Sequence, residues 1–405
     1  DIQQPTHQMR TDYYWPGFTI LLLFNLIIKE TNQFCLKMSG GKPSGRLFDV
    51  KACWSKAGIG TSIVLQQRSE NKKGFKLVFD LGCTPVFDQS ISASAIIVSH
   101  GHIDHFGGIF SHARAHNLQC SGSTPSYYVP EHLATKLEKA REIFSDIDAT
   151  CSHNENTNSS HRRDKSFIAM NIIPIKAGQE IEIKQSKVKN GVRFYLQPFH
   201  VSHGGHPAYG YTVVSRTTKS GLKAEYQGLD GKELGKLARN GVDIKETRLV
   251  EKPEICYTGD TCIDGLLLRQ ASEEMDDDHS WEYLKQGFRA PLLLSELTYL
   301  DPKDSQLARE RGHLNIMDIS PILQSHGWNS ESAIDDTDYR RSILFYHVSG
   351  KHGPAKHLLE LMAENLPNDV VEVADVAIAS FLSSTSQLNI EPNGCISLKG
   401  FKSER

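Results

Sequence analysis

What the chain lacks narrows the field first. Its eight cysteines (Cys35, Cys53, Cys83, Cys120, Cys151, Cys256, Cys262 and Cys395) are scattered, with no C-x-x-C among them. That excludes a zinc ribbon and a small disulfide scaffold. They read instead as reduced, mostly buried thiols of an intracellular protein. Net charge is only −3, so bulk charge does not suggest a nucleic-acid coat protein, and any nucleic acid must be met by a local basic patch. No internal repeat occurs. One apolar run, FTILLLFNLII at 18–28, is too short to cross a bilayer, though long enough for the core of a signal peptide. No small-residue cleavage site follows it and its flank is not strongly basic. No stable membrane association is expected.

What remains is an ordinary globular composition, 39% hydrophobic and 23% charged over 405 residues, long enough for a full core. Strand-like runs occur at 61–67 and 76–81, the second ending in FDLG. A helix is expected from near Pro130, carrying Leu133, Leu137, Ala140 and Phe144 at helical spacing. Residues 271–280 are acidic and read as a loop. Strands and helices are interleaved, which makes the class α/β.

The stretch IIVSHGHIDHFGG (96–108) sets His100, His102, Asp104 and His105 directly after an apolar run. Other strand-like runs end the same way. Val192–Phe199 leads to His203, Ile255–Tyr257 to Asp260, Leu292–Leu294 to Glu296, and Ile343–Tyr346 to His347. Polar side chains just beyond buried strands are where α/β folds build their sites. Imidazole and carboxylate suit Zn²⁺. The expected sets are His100, His102, His203 and Asp260 for one ion, and Asp104, His105, His347 and Asp260 for a second. His200 and His206 lie close enough to compete with His203. His112, His116, His153 and His161 read as surface histidines. Two divalent ions less two carboxylate charges leave a strongly positive site. It draws phosphate and lowers the pKa of a bound water toward about 7, which is hydrolytic chemistry.

At this point the chain resembles the metallo-β-lactamase superfamily and, within it, the ribonuclease Z (tRNA 3′-endonuclease) family in its short, plant-type form. The matching stretches are FDLGCTP, SHGHIDHFGG, YVPEHL, HVSHGGHPAYGY, LDGKELGKLARNGVDI, CYTGDT, LLLSELTY, RGHLN and FYHVSG, in family order over about residues 50–380. The histidine motif is shared by many hydrolases of the superfamily, whereas LDGKELGKLARNGVDI ahead of YTGDT is specific. The segment between His203 and the Gly–Tyr pair is one residue longer than the family's usual form.

The resemblance implies an αββα sandwich, two zinc ions and a homodimer. It implies cleavage of precursor tRNA after the discriminator base, leaving a 3′-hydroxyl on the tRNA. Asp104 belongs to the catalytic set. His313, oriented by Glu296, is the expected proton donor to the departing O3′. In DGKELGKLARNG, Asp230 is a natural N-cap and Gly241 a natural stop. Lys232, Lys236 and Arg239 then fall on one helix face. As a bare pattern this is a solvated face; inside a family-matching segment it reads as RNA-binding. The expected organisation is a leader and linker at 1–45, a catalytic domain at 46–385 with polar insertions near 145–166 and 327–340, and a polar tail at 386–405. The leader reads equally as a targeting segment or as sequence upstream of the true start, with Met9 and Met38 as later starts. The expected location is the cytoplasm, with the nucleus or an organelle reached through the leader as the alternative. A thioesterase or lactonase of the same superfamily would share the metal ligands but need neither the basic helix nor His313 with Glu296. A non-catalytic metal-binding RNA or scaffold protein is the rival from another class.

Overall fold

Short apolar runs such as Ala95–Ile97 and Leu292–Leu294 are buried on both faces, the signature of strands inside a layered sheet. In the computed structural model of the protein, the residues described are 44–68, 74–120, 123–149, 168–183, 191–267, 279–328, 341–352, 355–379 and 395–397. They form two sheets. The first holds β1 (Phe48–Lys56), β2 (Gly60–Gln67), β3 (Lys76–Phe79), β4 (Ala95–Ile97), β5 (Ser126–Pro130) and β6 (Asn171–Ile175) in sequential order. The second holds β7 (Ile181–Glu182), β8 (Arg193–His203), β9 (His206–Leu222), β10 (Lys245–Tyr257), β11 (Leu292–Glu296), β12 (Arg341–Tyr346), β13 (Ala374–Ala379) and β14 (Cys395–Ser397), again in order. Each sheet is antiparallel where hairpins link its strands, and parallel where helices cross over.

Side chains alternate between two cores, as the period of two requires. Leu77 and Phe79 of β3 meet Leu292 and Leu294 of β11 between the sheets. Val78 faces outward onto the helices Ile109–Gln119 and Glu131–Asp148. Leu293, Ile343 and Phe345 face the opposite way, onto the helices Ser280–Gly287, Ile316–Ser325 and Ala355–Asn365. Helix, sheet, sheet, helix is the αββα order. Each fully buried Leu, Ile or Phe in these layers contributes about 1.5–3 kcal/mol.

One element leaves the layers. β9 and β10 stay paired from Tyr211–Tyr257 out to Leu222–Lys245, and their outer halves are largely exposed. The connection carries the helix Gly231–Arg239, whose start is fixed by a reciprocal capping box between Asp230 and Glu233. Gly241 follows with φ +77°, a conformation open to glycine without strain.

Several boundaries differ from the sequence reading. The Glu131 helix runs through Asp148, so 145–148 is its last turn; Arg114 holds Asp148 at 2.7 Å there. Trp328 is buried under the Arg341 guanidinium and donates to the Phe288 carbonyl, so this residue of the expected 327–340 insertion belongs to the packed fold. Ser280 opens a helix rather than ending the acidic loop. Residues 395–397, expected in the tail, pair with β13, and Cys395 packs its sulfur 3.3 Å from that of Cys53. His112 and His116 are buried because the carbonyls of Ser90 and Ile91 accept from their rings. Residues 1–43, 150–167 (with His153 and His161), 271–278, 329–340, 386–394 and 398–405 lie outside the described residues. No described helix is long and apolar enough to cross a membrane.

Candidate active site

The strand ends converge. His100 follows β4, His203 closes β8, Asp260 follows β10, Glu296 closes β11 and His347 follows β12. The turn after His100 starts a one-turn helix, Ile103–Phe106, which carries Asp104 and His105. That turn packs backbone to backbone on the FDLG loop, and a Cβ at Gly82 would stand 2.0 Å from the Asp104 carbonyl oxygen. Glycine is required there.

His100 Nε2 lies 3.0 Å from His102 Nδ1, and His203 Nε2 lies 3.2 Å from the same atom. On the other side His347 Nε2 lies 3.4 Å from Asp104 Oδ2, and His105 Nε2 lies 3.6 Å from it. Asp260 Oδ2 sits between the two groups, 3.2 Å from both His105 and His347 and 4.0 Å from His100. All seven residues expected as ligands are therefore brought together. His200 and His206 are exposed, whereas His203 is buried among the other imidazoles.

Hydrogen bonds behind the rings decide which nitrogens face inward. His203 Nδ1 donates to the Gly312 carbonyl, and His105 Nδ1 donates to Asp80. Ser99 gives its proton to Asp80, so it must accept from His100 Nδ1. Thr298 gives its proton to Glu296, so it must accept from His347 Nδ1. With Nδ1 protonated, the neutral form of each ring aims an Nε2 lone pair at the centre. Lone pairs at about 3 Å repel one another unless a cation sits among them. Tetrahedral ligands about 2.0–2.1 Å from a zinc ion would stand roughly 3.3 Å apart, close to the spacings seen.

Charges point the same way. Burial, and then neighbouring imidazoles, hold His100 well below the usual histidine range. Burial also lowers His102 and His203. Burial opposes charge on Asp260, but His105 and His347 outweigh it and keep its carboxyl well below the usual range. Asp104 is likewise held down at about 2 by His347 and His105 against its burial. For His105, burial is outweighed by Asp260 and Asp80, which push the ring well above its ordinary value. Asp260 and Asp104 thus stay anionic in a buried site because positive charge stands beside them, which a protonated His105 or a bound cation can supply. These residues form a candidate metal centre.

His313 stands over it, its ring 4.8 Å from His203 and 5.1 Å from His347. Its Nδ1 is 3.1 Å from Glu296 Oε1, and Glu296 also accepts from Thr261 N and Thr298 Oγ1. Burial works against charge on His313, but the Glu296 carboxylate outweighs it and raises the ring to about 9. Lys232, Lys236 and Arg239 are exposed on the arm helix, outside the cluster.

Sequence reasoning missed the residues behind the expected ligands. Asp80 accepts from Ser99 N, Ser99 Oγ, His105 and Tyr257. Its signal was a carboxylate ending the apolar run at FDLG. Among the described residues, Asp80 (φ +54°) and His347 (φ +68°) are the non-glycine residues in the left-handed region. Strain of that kind collects at functional sites. Thr298 and the Gly312 carbonyl left no comparable mark in the sequence.

No family model matches the chain. It is 29% identical over 280 residues to tRNase Z TRZ2, chloroplastic, of Arabidopsis thaliana, covering 68% of this chain and 63% of that protein. This chain therefore spans less than two thirds of that relative's length. It is 30% identical over 280 residues to tRNase Z TRZ1 of Arabidopsis thaliana, covering 68% of this chain and 79% of that one. The crystal structure of human tRNase Z, short form, aligns with a TM-score of 0.39 and 16% identity, over 75% of this chain and 93% of that chain. On the identity and coverage shared with TRZ1, the chain belongs to the tRNase Z family.

Proposed function

We propose that the protein is a zinc-dependent endoribonuclease that removes the 3′ trailer from precursor tRNA. Water is added across the phosphodiester after the discriminator base. The tRNA leaves with a 3′-hydroxyl and the trailer keeps the 5′-phosphate. The observation that carries this reading is the His313–Glu296 pair standing over the two ligand groups joined by Asp260. A thioesterase or lactonase would need the ligand groups alone.

His100, His102, His203 and Asp260 would hold one zinc ion, and Asp104, His105, His347 and Asp260 the other. Five imidazoles and two carboxylates fit zinc better than the oxygen-seeking Mg²⁺ or Ca²⁺. When bound, the ions supply charge for the phosphoryl oxygens and acidify the water that attacks. The chain's own residues do the rest. Asp80, Ser99, Thr298 and the Gly312 carbonyl fix the ring orientations. His313 remains protonated at neutral pH and gives its proton to the departing O3′, while Glu296 steadies the imidazolium.

Substrate is gripped elsewhere. From Tyr257 to Lys245, β10 extends roughly 40 Å at strand rise, so the arm helix stands far from the chemistry. Lys232, Lys236 and Arg239 there would meet tRNA phosphates. The reading includes a homodimer, as the family resemblance implies, checked by sedimentation. The activity is tested with purified protein and end-labelled precursor tRNA. A single cut after the discriminator base with a 3′-hydroxyl is expected, and uncut tRNA alongside hydrolysed thioester would overturn the reading.

A further inference from the structure

Five imidazoles enter the candidate metal centre, and four are fixed from behind by a hydrogen bond at Nδ1. His102 differs. Its Nδ1 faces inward, toward His100 and His203, and among the described residues its Nε2 has no hydrogen-bond partner. It is also only half-buried. A ligand free to turn would weaken the centre. What lies against the ring from outside the cluster is His206, 4.7 Å away between centroids and inclined by 68°.

His206 is held there by a built turn. It pairs directly with His203 across a two-residue loop, Gly204–Gly205, with φ +51° and +82°. Such a loop needs positive φ at both positions. The loop is seated on the backbone at Gly312, where a Cβ would stand 1.9 Å from Gly204 N. That same Gly312 carbonyl orients His203. The turn thus places His206 on His102 while its own ring stays exposed.

We propose that His206 is a positioning residue for His102. Its edge-to-face packing supplies the orientation that a hydrogen bond supplies to the other four rings. It thereby sets the affinity of the ion that His102 shares with His100 and His203. This rests on the metal-centre reading above. An edge-to-face contact depends on ring shape and not on the ring nitrogens, so phenylalanine can replace it.

The test is zinc affinity and stoichiometry of the purified full chain by competition with a chromogenic chelator, for the parent, His206→Ala and His206→Phe. The parent is expected to hold two zinc ions. His206→Ala should keep one affinity unchanged and weaken the other between about twofold and about tenfold. His206→Phe should restore the parent value, and thermal unfolding at saturating zinc should be the same for all three. Unchanged affinities in His206→Ala, with two ions in the parent, overturn this inference alone. Equal weakening in both variants overturns it too, because a nitrogen would then be required. A parent that binds no zinc removes the metal centre itself, and this inference with it.

Discussion

His105 Nε2 and Asp260 Oδ2 stand 3.2 Å apart, with the two residues 0% and 1% exposed, yet among the described residues His105 Nε2 and Asp260 Oδ1 have no hydrogen-bond partner. A buried polar atom left without a partner costs about 1–3 kcal/mol, and more when charged. His105 Nε2 faces Asp260 Oδ2, the oxygen that lies between the two ligand groups. One cation on each side of Asp260 would satisfy both unpartnered atoms.

That relationship makes Asp260 the most sensitive of the proposed ligands. The parent should carry about two zinc ions per chain, and Asp260→Ala should lose metal and tRNA cleavage together. Elemental analysis of the purified proteins beside a cleavage assay checks this. A variant that keeps one tightly held ion and full activity would show that Asp260 is not shared.

The proposed proton donor gives a second test. His313→Ala should lower kcat on precursor tRNA by about 100-fold or more while KM holds, because protonation of O3′ matters only in the transition state. A diester with a nitrophenolate leaving group needs little proton help, so its hydrolysis should fall far less. An acid is active below its pKa, so cleavage limited by His313 is lost as pH rises through about 9. Glu296→Gln removes the charge that raises the ring, so the alkaline limb should move to lower pH. Equal damage to both substrates, or an unmoved limb, would assign the pair a structural role.

The residues that converge at the candidate site were legible in the sequence because they follow short apolar runs that the fold uses as buried strands. His100 after AIIV and His347 after ILFY are of this kind. The supports behind them were not. Thr298 and Gly312 act through contacts to residues 49 and 109 positions away, and only the folded backbone brings such partners together. His112 misled for the same reason. Its helix looks polar in sequence, and the acceptor that permits its burial belongs to Ser90.

His112 makes stability depend on pH. Burial lowers its pKa from 6.5 to about 4 in the folded chain. The unfolded chain therefore binds a proton first as pH falls. This contribution is fully present above pH 6.5 and is lost by about pH 4, and it amounts to about 3 kcal/mol. His112→Gln keeps a donor toward the Ser90 carbonyl but cannot titrate. Unfolding free energies at saturating zinc should fall more steeply with acid in the parent than in this variant, between those limits. Parallel curves would mean that His112 does not titrate as a buried neutral ring.

The arm separates binding from chemistry most cleanly. Lys232, Lys236 and Arg239 are exposed on a helix fixed at its start by Asp230 and Glu233, so charge can be reversed there without touching the cores. If the three grip phosphates, changing them together to Glu should raise KM for precursor tRNA about tenfold or more and leave zinc content unchanged. Each lost phosphate contact removes about one unit from the slope of log affinity against log salt, so that slope should flatten by about two to three units. A small nitrophenyl phosphodiester does not extend from the centre to a helix roughly 40 Å along the strand, and its hydrolysis should be unaffected. Normal tRNA cleavage by the reversed variant would make this face a solvated one. A parallel loss on both substrates would mean that the arm supports the fold.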